Sequence, residues 1–498
     1  MFYIRTTKTA SGSTAVQVVR YENRQKIIVV HIGSAHTPQE LLSLKQTAKV
    51  WIKKTTDQQS LLPSESNDSS KLISLDKCQY LGIRYSFIRE VLIKIFVLFK
   101  FHLGISPLLV DLALMRIVEP ASKLRSLALL EEYFGCHYER RELYRQLASL
   151  ASLKDTIETK VLSVAKKHFN FDFSLILYDV TTLYFESFEP DELRKCGFSK
   201  DNKFNQPQVL IGLMVNSDGF PVAYEIFEGN KFEGHTLIPV ISAFKKRHQI
   251  KSLTVVADAA MLSQENMESL QADGFNYIVG ARIANLSQSL IKDISNKLKQ
   301  IDGATVRVNT PRGSLICDFS RDRFRKDKHE MEKQILKAQI ALTNTTQIKR
   351  LKFLKQQNQT NYELNTTIVE KTTSLLGIKG YYTNLPDEVD DSTIIGYYHQ
   401  LWQVEQTFRM AKSDLEMRPI YHFKKHAIEV HVLICFMALS VSKFLEIKTG
   451  KSIKSTVDSL RTVTDARIFN QLTEKEIILR SEIKDDVREI LQKLDLWY

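Results

Sequence analysis

The run FSLILYDVTTLYFES, residues 173–187, is apolar and β-prone up to Tyr178, then presents Asp179 with two threonines close behind it. Unbroken apolar character of this kind marks a strand covered on both faces, so Asp179 is expected where that strand reaches the sheet edge. A second run, KSLTVVADAAMLSQEN at 251–266, repeats the arrangement. Leu253 to Ala257 read as a buried strand, Asp258 ends it, and small residues lead into a helix capped at Ser263. Open α/β sheets carry their sites at such strand ends. One aspartate there is more often a turn or capping residue. Two that read alike are the start of a hard-oxygen ligand set suited to Mg²⁺ or Mn²⁺.

A third acid lies in YYHQLWQVEQTFRMAKSDLEMRP, residues 397–419, where Tyr398, Glu405 and Lys412 recur at intervals of seven. Seven residues is almost two turns of an α-helix, so a single helix is expected to carry all three on one face, with Trp402 and Arg409 between them. A core helix would fill that stripe with Leu and Ile. A carboxylate flanked by cations suits a metal ion beside a phosphate. The bland alternative is an exposed helix with an i,i+4 ion pair between Glu405 and Arg409.

Between these acids the element order is readable. Gln208 to Val215 and Pro221 to Phe227 are β-prone runs separated by Asn216, Ser217, Asp218 and Gly219, a hairpin signature. Thr236 to His248 has helical spacing; the Asp258 strand, a helix to Ala272 and a strand from Asn276 to Arg282 follow. The strand Gly380 to Asn384 and the Glu405 helix come about a hundred residues later. The fold expected is α/β: a ribonuclease H-like mixed sheet with an insertion before the last catalytic helix, preceded by a helical region and a small N-terminal β module.

On these residues the chain resembles the DDE transposases of bacterial insertion sequences, in particular the group with a Y-x2-R-x3-E-x6-K signature. Tyr398, Glu405 and Lys412 match that signature, with Asp179 and Asp258 as the first two acids. Gly212, Leu213, Asp218, Gly219, Pro221, Gly229, Asn230, Glu233 and Thr236 resemble the segment that follows the first aspartate. One position departs, since Leu401 stands where the pattern has arginine. If that arginine touches phosphate, either Arg409 substitutes or the contact is lost. The resemblance implies a transposase acting on double-stranded DNA, as a homodimer in the DNA complex. Asp179, Asp258 and Glu405 would be both catalytic and metal-binding, holding two Mg²⁺ (or Mn²⁺) ions about 3.5–4 Å apart. A nuclease that cuts without joining and a DNA-binding protein with decayed catalysis are the alternatives.

Composition agrees. A 498-residue chain with formal net charge +12 and pI near 9.2 has room for several domains and favours a polyanionic partner. Five scattered cysteines without a CxxC pair argue against a zinc module or a disulfide framework and suit the cytoplasm, the localisation expected here, beside the nucleoid. The most apolar run recognised, Val91 to Leu103, is too short to span a bilayer, so no membrane partner is expected.

Residues 1–52 read as a small basic module with strands Phe2 to Thr6, Ala15 to Arg20 and Lys26 to His31 and a helix from Pro38; it either touches DNA or merely packs. Residues 53–75 have linker composition. Residues 76–168 read as helical and DNA-binding, with Lys123, Arg125, Arg140, Arg141 and Arg145 serving either as phosphate contacts or as a solvated face. Residues 169–283 are the first part of the core, 284–378 the insertion, 379–445 the second part with the Glu405 helix, and 446–498 a helical C-terminal region. In the insertion, Ser320 to Lys355 holds eleven Lys or Arg against four acids. Lys349, Arg350, Lys352 and Lys355 are expected on DNA backbone together with Tyr398, Arg409 and Lys412. A base-stacking ring there would have to be Phe324, Phe353, Tyr362 or a neighbour.

Overall fold

Eight strands form one sheet, numbered here in chain order: β1 (Leu175–Tyr184), β2 (Gln208–Val215), β3 (Pro221–Glu228), β4 (Thr254–Ala257), β5 (Asn276–Ala281), β6 (Thr305–Thr310), β7 (Gly313–Phe319) and β8 (Ile378–Thr383). They belong to a computed structural model that describes residues 2–496 except 11, 23–24, 57–76, 187–188, 199–204, 262, 344–350 and 357–361. The spatial order is β6-β7-β8-β5-β4-β1-β2-β3. β1, β2 and β3 run antiparallel in sequence, while β4 lies parallel to β1 and β5 parallel to β4. Every residue of β2 and β4 is buried, which is why these segments read as unbroken apolar runs.

The expected hairpin forms as anticipated. Asn216 Oδ1 accepts from the backbone N–H of Asp218 at 3.0 Å and of Phe220 at 2.8 Å, closing the turn, and Gly219 takes φ +77°, a conformation open to glycine.

The segment expected as a separate insertion instead extends the sheet, since β6 and β7 are added beside β8. Arg307 of β6 joins it to the chain that leads to Glu405: its guanidinium donates to Asp391 Oδ1 at 2.8 Å, Asp387 Oδ1 at 2.8 Å and Val389 O at 2.7 Å. The long polar helix is Arg321–Thr343, followed by a short hairpin, Leu354–Gln356 with Tyr362–Leu364. Phe353 is buried and cannot offer a ring to a base without unpacking. Lys352 and Lys355 are exposed, whereas Lys349 and Arg350 lie outside the described residues.

Five helices between Ser86 and Phe169 precede β1. Several expectations for the flanking regions need correction. Cys78–Arg84 is a strand rather than helix, and it shares a three-stranded sheet with Asp465–Asn470 and Lys475–Arg480, so the C-terminal region is not wholly helical. The boundary at 445/446 falls inside one helix, Lys425–Thr449. Among the described residues that helix, rather than Val91 to Leu103, is the one long and apolar enough to cross a membrane; 94% of its apolar window is buried inside the protein, as befits a helix hydrophobic all round.

A further correction concerns Lys123, which is buried and not available to phosphate. Its Nζ lies 2.7 Å from His422 Nε2 and donates to Ala427 O at 3.1 Å. Arg125, Arg140, Arg141 and Arg145 are exposed. The N-terminal unit, Met1–Cys78, is compact in itself: three antiparallel strands, Phe2–Lys8, Thr14–Glu22 and Gln25–Ala35, carry the helix Pro38–Thr56 on one face. The linker expected at 53–75 therefore begins inside that helix, and its remainder lies outside the described residues.

Burial pulls the Lys123 ammonium pKa down to about 7, with Cys435 opposing and Arg116 adding to the shift. An unfolded lysine holds its proton to about pH 10.4, so between these values the unfolded state carries more protons and stability rises with pH. Relative to Lys123→Met, the wild type should therefore gain stability, by up to about 1.4 kcal/mol per pH unit, as denaturant unfolding is repeated from about pH 7 to about pH 9. Parallel profiles for the two proteins would mean that Lys123 keeps its charge in the fold.

Candidate active site

Parallel pairing sets the two aspartate-bearing strands side by side. Leu177 of β1 pairs with Val256 of β4, so Asp179 lies two residues beyond the last residue that its strand pairs with β4, and Asp258 two residues beyond the last that β4 pairs with β1. Asp179 does not end its strand, as the sequence suggested. β1 continues through Thr181 and Thr182, both buried and paired to β2, and Asp179 is half-buried in mid-strand. It is β4 that stops, at Ala257, leaving Asp258 exposed beyond it and opening a notch beside Asp179.

The Glu405 segment is not one helix. It is built as α1 (Asp391–His399), α2 (Trp402–Arg409) and a π-turn over Met410–Asp414. At the first join the hydrogen bonds tighten to i→i−3, from Leu401 N to Tyr398 O at 3.0 Å and from Val404 N to Leu401 O at 3.2 Å. At the second they widen to i→i−5, from Leu415 N to Met410 O at 3.0 Å. The regular seven-residue spacing is thus broken twice. Tyr398 turns inward and is buried, while Trp402 is 49% exposed. Leu401, at the position of the signature arginine, is buried and takes no part in the open face.

Despite the breaks, Glu405, Arg409 and Lys412 come together with Asp179. These four, with Thr181 and Arg418, line a cavity of about 260 Å³. α2 is fixed there by Val404, Thr407 and Phe408, which are buried, and by Thr407 Oγ1, which donates to Gly219 O at 2.7 Å. The tight hairpin turn between β2 and β3 is therefore a seat for the helix that carries Glu405. Arg418 is a cation that sequence reasoning missed; its guanidinium lies 5.9 Å from the centre of the Tyr184 ring.

Asp258 is reached from the other side. Tyr398 Oη lies 3.4 Å from Asp258 Oδ1, which also accepts from Ala259 N at 2.6 Å. Burial, then the Asp258 and Glu405 charges, push the Tyr398 hydroxyl pKa up, so it stays protonated and donates. Tyr398 gets this close because Gly280 of β5 has no side chain: a Cβ there would stand 2.6 Å from its Oη. Lys379 of β8 is a second missed residue. Its Nζ sits 4.5 Å from the centre of the Tyr398 ring, within the fields of Asp318, Asp258 and Glu405, while burial and then Arg323 lower its pKa. A lysine two residues before the buried Tyr381, on the same strand face, was the available signal.

The donor set is three carboxylates, the hard oxygens that Mg²⁺ and Mn²⁺ prefer, in a notch bordered by cations. Among the described residues no three His, Cys, Asp or Glu side chains are clustered tightly enough to hold one ion between them. Asp179 and Glu405, which line one cavity, are the pair that could share an ion, and Asp258, one residue past the end of the neighbouring strand, is the candidate for a second pair with Asp179.

Residues 170–441 match the family described as the transposase DDE domain. Among solved structures, the chain is similar to a piggyBac transposase synaptic complex with hairpin DNA, with 10% identity and a TM-score of 0.36 over 62% of this chain and 58% of that one. It is similar also to a Mos1 transposase paired-end complex with the left transposon end, with 12% identity and a TM-score of 0.16 over 49% of this chain and 68% of that one. The match thus spans less than two thirds of the piggyBac chain. No curated protein matches the chain.

Gly280→Ala should cost about 1–3 kcal/mol, the usual effect of overpacking. In a Tyr398→Phe background most of that loss should vanish, because the atom met at 2.6 Å has gone. Denaturant unfolding of the four proteins measures the coupling, and additive effects would show that Tyr398 is not what the missing side chain makes room for.

Proposed function

The chain belongs to the transposase DDE-domain family, and from that premise we propose that it binds the ends of a bacterial insertion sequence and catalyses metal-dependent cleavage and strand transfer of double-stranded DNA. On this reading the β1–β5 sheet and α2 are a ribonuclease H-like catalytic core, with Asp179, Asp258 and Glu405 as its acids. The observation that carries the proposal is that Glu405, Arg409 and Lys412 line one cavity with Asp179, while the strand parallel to the one bearing Asp179 ends one residue before Asp258.

Each residue around the notch then has a task. Arg409, Lys412 and Arg418 bring three cations to the wall opposite the sheet, where a phosphodiester would otherwise meet only carboxylates; their charge draws it in and fixes its orientation. Arg409, on the turn after Glu405, takes the role left vacant by Leu401. Tyr398 donates to Asp258 and holds that carboxylate towards the notch. Lys379, beneath the Tyr398 ring, balances the negative charge of Asp258 and Glu405 from the buried side. Mg²⁺ or Mn²⁺ held by the three carboxylates would supply Lewis-acid polarisation of the phosphate and activation of the attacking hydroxyl. The nucleophile is water in the cleavage step and the freed 3′-hydroxyl in the joining step, and both displace an oxygen of the phosphodiester in line.

Around this core, the exposed Arg125, Arg140, Arg141 and Arg145 and the exposed Lys352 and Lys355 are assigned to DNA backbone, where lost phosphate contacts flatten the salt dependence of binding. Free thiols at all five cysteines suit a reducing cytoplasm. A homodimer would hold two DNA ends at once.

The test is a strand-transfer assay with labelled DNA from the borders of the gene. Joined product is expected from the wild type; cleavage without joining would favour a nuclease instead. Asp179→Asn, Asp258→Asn and Glu405→Gln should each abolish cleavage while DNA binding persists, and retained cleavage in any of them removes that residue from the site. Lys412→Ala should lower cleavage or joining at least about tenfold with an unfolding free energy within about 0.5 kcal/mol of wild type.

A further inference from the structure

The strands that extend the sheet bring a further carboxylate, Asp318 of β7, towards the site. Antiparallel register sets Asp318 directly opposite Lys379 of β8, so the two side chains share one face of the sheet, and Tyr381, two residues along β8, lies on that face as well. α1 packs its own tyrosine there. The Tyr398 ring stands 4.7 Å from that of Tyr381, and Lys379 Nζ sits 4.5 Å from the centre of the first ring and 5.5 Å from that of the second. Tyr398 Oη continues this line of contacts to Asp258 Oδ1 at 3.4 Å. Burial and then the Asp318 charge push the Tyr381 hydroxyl pKa up, and that hydroxyl lies 3.3 Å from His399 Nε2. Burial, with Lys379 and Arg323, holds the His399 pKa below its usual value, so the imidazole is neutral at pH 7. The charges that face one another here are Asp318 and Lys379, with Arg323 exposed and screened at the rim.

We propose that Asp318 is a positioning residue of the active site, which through Lys379 sets how tightly Asp258 and Glu405 hold a divalent cation without holding the ion itself. The inference rests on the reading of Asp179, Asp258 and Glu405 as metal ligands. Two observations carry it. Asp318 Oδ1 is buried with no hydrogen-bond partner among the described residues, a state that costs stability unless a nearby charge answers it. The side chain directly across the strand pair is Lys379, whose ammonium lies over the two tyrosine rings and within the fields of Asp258 and Glu405. Lys379 is thus shared between Asp318 on one side and the two acids on the other. An ammonium in that place attracts the acids but repels a dication held by them, and a half-buried setting strengthens both effects. Asp318 offsets the repulsion. An ordinary cross-strand ion pair would behave otherwise, since loss of either partner would then loosen the same packing.

The experiment titrates Mn²⁺ into the full chain on duplex DNA and reads free Mn²⁺ by electron paramagnetic resonance, so that it does not depend on turnover. Asp318→Asn, which changes charge and hardly shape, should weaken Mn²⁺ binding at least about threefold, and Lys379→Met should tighten it by a similar factor. The two changes together should return the affinity to within about twofold of wild type, as should Lys379→Arg alone, which keeps the charge. Opposite signs are what a packing role cannot produce, because looser packing only weakens the ligands' hold. Thermal unfolding checks the fold of each variant, and Lys379→Gln carries the same expected sign if Lys379→Met does not fold. The proposal is overturned if Asp318→Asn binds Mn²⁺ as wild type does, or if both single changes weaken binding alike. Asp258→Asn separates this from the reading beneath it. Mn²⁺ binding indifferent to Asp258→Asn overturns the metal site itself, whereas binding lost with Asp258→Asn and kept with Asp318→Asn overturns this inference alone.

Discussion

The parallel pairing of β1 with β4 is the constraint from which the site follows. Parallel strands joined through a hairpin and a crossover helix need both faces covered, and the chain supplies this with buried residues throughout β2 and β4 and packing helices around them. Once Leu177 faces Val256, the pairing sets where each strand arrives at its aspartate, and Ala259 N and Tyr398 Oη then hold Asp258 just past the end of β4. A one-residue slip would turn one carboxylate to the opposite face of the sheet. Burial on both sides makes such a slip expensive, so the two acids are held by the strength of the whole core.

Glu405 needs separate means, because its helix belongs to no strand pair. The turn at Gly219 receives Thr407, the Arg307 clamp holds the chain entering α1, and Gly280 lets Tyr398 descend onto Asp258. Each is a close approach in which added volume or a lost donor is felt at the acids. The residues expected to form an insertion take part in this support through β6 and β7, which joins what looked like an addition to the positioning of the site.

The sheet was legible in the sequence because short, unbroken apolar runs rich in β-branched residues fold as strands covered on both faces. The hairpin was legible because Asn216 to Gly219 supply the side-chain acceptor and the positive φ that a tight turn requires. The breaks around α2 were not. Neither Gln400 nor Met410 is a glycine or proline, and both keep right-handed helical dihedrals, so the change lies only in which carbonyl each N–H meets. The strand beginning at Cys78 pairs with residues nearly four hundred positions away, beyond any local pattern. Lys123 looked like a surface cation since its burial depends on His422 and Ala427, from a distant part of the chain. Lys379 was overlooked for the converse reason: its meaning lies in Asp258, Glu405 and Asp318, which only the fold gathers around it.

The central claim is that Asp179, Asp258 and Glu405 act as one metal-binding set. It is tested most directly by titrating Mn²⁺ into the full chain bound to duplex DNA and following free Mn²⁺ by electron paramagnetic resonance. The wild type should bind Mn²⁺, and Asp179→Asn, which touches both pairs of carboxylates, should weaken that binding at least about tenfold, with smaller losses for Asp258→Asn and Glu405→Gln. Mn²⁺ binding unchanged by Asp179→Asn would contradict the account.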